Sequence, residues 1–122
     1  MKSTKTTRRK AAKPEKSAPL IPLELFCRCH GVSLETGRRS DEDIKFVADL
    51  HGKPNAKETL RYYAYSPSFA AVYEDSFQRV SYTPCGNGKT RKAAILDLGK
   101  RLNESAEWTV TQRVIDVKFR EN

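Results

Sequence analysis

The chain has 122 residues, a formal net charge of +8, 38% hydrophobic residues and 31% charged residues. That length suits one domain with one core, and the apolar content excludes a wholly disordered chain. No apolar run approaches the ~20 residues of a membrane-spanning helix, and the basic start lacks the apolar stretch of a secretory signal. A cytoplasmic protein is therefore expected, with no membrane partner and reduced thiols at Cys27, Cys29 and Cys85.

The charge is unevenly placed. Residues 1–18 hold Lys2, Lys5, Arg8, Arg9, Lys10, Lys13 and Lys16 against Glu15, a net of +6. The remaining 104 residues carry 16 basic and 14 acidic side chains, a net of +2. With nothing apolar to bury, residues 1–19 are predicted to form a disordered basic arm ahead of an α+β domain over 20–122. Such an arm attracts phosphates without regard to sequence, through counterion release. Lys5, Arg8, Arg9, Lys10, Lys13 and Lys16 are thus expected contacts to nucleic acid, either RNA or DNA. In a eukaryotic host the same cluster would serve as a nuclear address.

After Pro19 and Pro22, Leu23–His30 alternates, with Leu23, Leu25, Cys27 and Cys29 on one side, and period two predicts a strand. Gly31–Arg39 reads as loop. Ser40 with Asp43 matches a capping box, and Asp41, Glu42 and Asp43 suit the positive end of a helix dipole. Ile44, Val47 and Ala48 continue a helix that Gly52 and Pro54 end. A meander follows, with strands at Leu60–Tyr65, Phe69–Tyr73 and Phe77–Tyr82, the last two joined through Glu74-Asp75-Ser76. Pro84 and Gly86-Asn87-Gly88 close it. Thr90–Asn103 is the second helix, with Ala94, Ile95, Leu98 and Leu102 in one stripe. Trp108–Phe119 is a final strand. The expected fold is α+β, a mainly antiparallel sheet with two helices on one face, in the order β-α-β-β-β-α-β.

Gly88-Lys89-Thr90 is similar to the end of a phosphate-binding P-loop, but the glycine that motif needs five residues earlier is Thr83. Nucleotide hydrolysis is therefore not expected. Lys89, Arg91 and Lys92 sit where a helix N-terminus is already positive, a placement that a phosphate would relieve and that solvation would also satisfy. The α-β-β-β-α order over residues 40–103, with Gly86-Asn87-Gly88-Lys89-Thr90-Arg91-Lys92-Ala93-Ala94 opening the last helix, resembles a double-stranded RNA-binding domain. The resemblance implies that Lys89, Arg91 and Lys92 contact phosphates. Asp97, the acidic start of the first helix and the flanking strands depart from that family. The same Gly-x-Gly-Lys-Thr opening also resembles HicB-type antitoxin domains and small phage-encoded proteins, which implies a protein-binding scaffold instead.

Cys27-x-Cys29-His30, with His51 and Cys85, lacks the usual zinc-ligand spacing. The predicted strand makes Cys27 and Cys29 buried thiols, so no metal is expected. Tyr62, Tyr63, Tyr65, Tyr73 and Tyr82 suit strands by propensity, and exposed ring faces among them could stack on bases. No nucleophile, base and orienting acid assemble into a catalytic set, so neither an enzyme nor a cofactor is expected. Two functions remain: a nucleic-acid-binding accessory protein, or an inhibitor or antitoxin-like module acting on a nucleic-acid-binding partner protein.

Overall fold

The structure is a computed structural model and describes residues 20–50, 52, 58–114 and 116–121. The expected arm over residues 1–19 lies outside those residues. The fold is α+β, with three α-helices and two small antiparallel sheets. In chain order the elements are α1 (Leu23–His30), β1 (Glu35–Arg38), α2 (Asp41–Leu50), a 3-10 turn (Glu58–Leu60), β2 (Tyr62–Tyr65), β3 (Phe69–Glu74), β4 (Arg79–Tyr82), β5 (Cys85–Gly88), α3 (Arg91–Glu104), β6 (Glu107–Val110) and β7 (Arg113–Val114).

The first element corrects the sequence reading, because Leu23–His30 is a helix and not a strand. The segment also fits period 3.6. Leu23, Phe26 and Cys27 fall at i, i+3 and i+4, and all three are buried. Pro22 stands at the N-cap, and Gly31 ends the helix in the left-handed region at φ 65. The Val32 amide donates to the Cys27 carbonyl at 2.8 Å across that end. Pro before and Gly after is the helix punctuation that the alternation of side chains obscured. One consequence follows directly: Cys27 is buried, but Cys29 is exposed.

α2 begins where Ser40 predicts it, with the Asp43 amide donating to Ser40 Oγ at 3.1 Å. Its Ile44 and Ala48 form a small cluster with Leu60. Arg39 and Arg61 tie this unit to the first sheet. Arg39 donates to the Leu60 carbonyl at 2.9 Å and to Asn87 Oδ1 at 2.7 Å, while Arg61 donates to the Arg39 carbonyl at 2.9 Å and pairs with Asp41 at 2.7 Å.

The sheets have the orders β1-β2-β5 and β4-β3-β6-β7. β1 and β5 were both expected as loop. β5 is a strand because its glycines let α3 lie directly on it. Gly86 pairs with Ala64 and Gly88 with Tyr62, on the face toward α3. A Cβ on Gly86 would collide with the Ala94 carbonyl and the Leu98 backbone, and one on Gly88 would come within 2.6 Å of Ala93 Cβ. Two other groups secure the contact. Thr90 caps α3 by accepting from the Ala93 amide at 3.0 Å, and Asp97 Oδ2 on α3 accepts from the Asn87 amide at 2.8 Å. The main core joins α1, α3 and both sheets, with Leu98, Phe69 and Phe119 essentially solvent-free. Phe26, Trp108 and Phe119 pack edge-to-face or tilted within it.

The expected final strand breaks into β6 and β7, joined by Thr111 and Gln112 at φ 52 and 67. Two consecutive positive φ values suit the right-handed twist of a tight hairpin, but Asn-Gly supplies them with far less strain than Thr-Gln. Replacing Thr111 by Asn and Gln112 by Gly should raise stability by about 1 kcal/mol in urea unfolding. Gly86→Ala should lower it by about 3 kcal/mol or more, because the obstruction is helix backbone that cannot swing aside.

Candidate nucleic-acid interface

The register places the predicted basic residues of the folded part around the start of α3. Lys89 follows β5, Thr90 is the cap, and Arg91 and Lys92 occupy the first turn, with all three basic side chains exposed. Arg91 is already engaged: its Nε donates to Thr36 Oγ1 on β1 at 3.1 Å, and its guanidinium lies 3.5 Å from Glu24 on α1. Lys92 lines a cavity of about 140 Å³ that Arg120 also lines. Arg38 is exposed on β1, in the row Arg38–Tyr62–Gly88 and so two strands across from the glycine that precedes Lys89. Arg38 and Arg120 were missed in the sequence because the signal is register and chain return, not local spacing. Lys5, Arg8, Arg9, Lys10, Lys13 and Lys16 lie outside the described residues.

The arrangement can attract an anion. Lys89, Lys92, Arg38 and Arg120 supply positive charge, whereas Arg91 is partly neutralised by Glu24. The Gly86-Asn87-Gly88 backbone faces a helix instead of an open cradle, and the Asn87 amide is taken by Asp97. Asp97, a departure from the resemblance to a double-stranded RNA-binding domain, thus closes the free edge of β5 and pairs with Arg101 at 2.9 Å.

The tyrosines divide by face. Tyr62 is half-buried on the α3 side. Tyr63 is half-buried, with its ring against Gly37 and the Arg39 guanidinium 5.1 Å from its centroid. Tyr65, Tyr73 and Tyr82 are the exposed ones.

The thiols also separate. Burial, reinforced by Glu24, pushes the Cys27 thiol up to about 11. His30 is exposed and stacks on Phe26 at 4.3 Å between ring centroids. Among the described residues no three His, Cys, Asp or Glu side chains come together to hold a metal, and His51 lies outside them. Among those residues, too, no helix is long and apolar enough to cross a membrane. A cavity of about 390 Å³ lies between β3, β4 and the end of α3, lined by Tyr73, Tyr82, Arg101 and Glu104 among others.

Alkylation of the native protein at mild alkaline pH should label Cys29 rapidly and leave Cys27 unmodified until denaturant is added. Peptide mass spectrometry reads the order, and equal rates at both would contradict the helical placement of Leu23–His30. Compared with known proteins, the chain matches no family model, no curated protein and no solved structure.

Proposed function

We propose that the chain is a nucleic-acid-binding accessory protein whose first eighteen residues supply most of the attraction to phosphate. The observation that carries this reading is the placement of charge: +6 of the net +8 precedes residue 19. A charge density of that kind, ahead of a nearly balanced remainder, draws a polyanion to one end of the molecule. The exposed Lys89 and Lys92, with Arg120 on the same cavity as Lys92 and Arg38 on β1 of the adjoining sheet, provide a second, weaker contact on the folded part. The reading requires no base recognition. Tyr63, on the central strand of the first sheet, already carries the Arg39 guanidinium over its ring, which supports a reading without base stacking there.

Fluorescence anisotropy with labelled duplex, measured across a salt series, tests the proposal. Six arm charges meeting phosphates give a slope of log affinity on log salt of about −5 on duplex DNA. Removing residues 1–18 should flatten that slope strongly, while Lys89→Gln with Lys92→Gln should reduce it by about 2. A truncated chain that binds with unchanged affinity and unchanged salt response would overturn the assignment. Parallel curves on RNA and DNA duplexes then identify the preferred polymer.

A further inference from the structure

The geometry assigns the outer edge of β4 to a second copy of this chain, paired antiparallel about Ser81. This inference is independent of the nucleic-acid reading. β4 is the last strand of its sheet, with β3 on its inner side, and all four of its residues are exposed. The other edges are guarded. β1 carries Glu35 and Arg38 at its ends, β5 has its Asn87 amide held by Asp97, and β7 is two residues long. β4 has one charge, Arg79, and that is cancelled within its own sheet by Glu74 at 3.0 Å and Glu107 at 2.8 Å.

The side chains around this edge are apolar to an unusual degree. Register puts Val80 opposite Tyr73 and Tyr82 opposite Ala71, on the core side of the sheet. Beyond the covered part of the core, Tyr73 is 53% exposed, and Val80 and Tyr82 are each 41% exposed. At the tip, Asp75 Oδ1 accepts from the Phe77 and Gln78 amides at 2.8 and 3.0 Å, a turn that leaves Phe77 95% exposed. A phosphate polymer is a poor occupant, since Glu74, Asp75, Glu104 and Glu107 outnumber Arg79 and Arg101 here. The occupant is therefore a protein strand.

Two-fold symmetry singles out one register. The Asp75 amide donates to the Gln78 carbonyl at 3.0 Å, so the alternation of the ladder turns the main-chain groups of Arg79 and Ser81 outward. With the dyad at Ser81, each Ser81 exchanges both hydrogen bonds with its counterpart. Val80 of each copy then faces Tyr82 of the other on the apolar side. Arg79 faces Thr83, so no like charges oppose each other across the axis. A dyad at Val80 would instead waste the Tyr82 rings on Gln78. The edge is short, in the class of interfaces below ~1,200 Å² that sustain transient complexes, so a micromolar dimer is expected.

Sedimentation velocity of the full chain from micromolar to millimolar concentration tests this. A reversible monomer–dimer equilibrium is expected, and Val80→Lys should weaken it by roughly tenfold or more, because each substitution acts twice across the dyad. Val80 is solvent-accessible, so circular dichroism and thermal unfolding of the variant should match the parent. In a Cys29→Ser background, Ser81→Cys should form an intermolecular disulfide under mild oxidation, since opposed residues at hydrogen-bonded sites have Cα atoms ~5.5 Å apart. A chain that stays monomeric at millimolar concentration, whether or not another protein occupies β4, would overturn the proposal. So would a dimer that Val80→Lys leaves intact and Ser81→Cys does not trap.

Discussion

The arrangement depends most on one close approach, the backbone of α3 resting on the glycine strand β5. Gly86 and Gly88 have no Cβ to hold the helix off, and any larger residue at 86 would meet the Ala94 carbonyl and the Leu98 backbone. That contact fixes where α3 begins, and so where Lys89, Arg91 and Lys92 emerge. It also brings Asp97 within 2.8 Å of the Asn87 amide, so one face of α3 both covers the sheet and caps its edge. The Gly-x-Gly stretch resembles a phosphate-binding loop because both need backbone exposed at short range. In this chain the group that uses the exposure is a helix, not a phosphate.

That substitution of one neighbour for another explains what the sequence hid. Ser40, Thr90 and the Glu74-Asp75-Ser76 connection act locally, through a cap or a turn, and each lies at a boundary the residues themselves announce. β5 does not. Cys85-Gly86-Asn87-Gly88 has poor strand propensity, and only pairing with Tyr62–Tyr65 and the approach of α3 make it extended. Leu23–His30 fails differently. Its apolar positions fit periods of 2 and 3.6 alike, and the choice falls to which set the core can bury: Leu23, Phe26 and Cys27, against Phe119 and Trp108. The positive φ pair at Thr111–Gln112 leaves almost no mark, because neither residue favours that geometry. The basic cluster at α3 was half legible: Lys89, Arg91 and Lys92 are contiguous, whereas Arg38 and Arg120 join them only through the fold.

Much of the folded part's positive charge is structural. Arg39 and Arg61 lock the link between β1, α2 and β2, Arg79 bridges two glutamates, and Arg101 answers Asp97. Arginine suits these places because its planar fork reaches a carbonyl and a side-chain acceptor at once, as Arg39 does with Leu60 and Asn87. The charge left over around the start of α3, on Lys89, Lys92, Arg38 and Arg120, is held on exposed side chains, which suits contact with phosphates more than the reading of bases.

A net charge of +2 over residues 19–122 therefore conceals a separation. Bases gather where α3 starts, and acids gather on the hairpin and near where α3 ends, with Glu74, Asp75, Glu104 and Glu107. α3 has 14 residues, which puts roughly 20 Å of helix between the two ends. At physiological salt, charges interact over only ~8 Å, so the two ends behave as electrically independent surfaces. A polyanion held at the basic end, as proposed, would leave the β4 edge free, and the proposed pairing there would join apolar side chains without crowding phosphate. If both contacts form, one dimer presents two basic ends to the same polymer, and occupancy at one raises the local concentration at the other. Modest charge on each copy would then suffice for tight, salt-sensitive attachment, with the dimer's weak edge setting the protein concentration at which it begins.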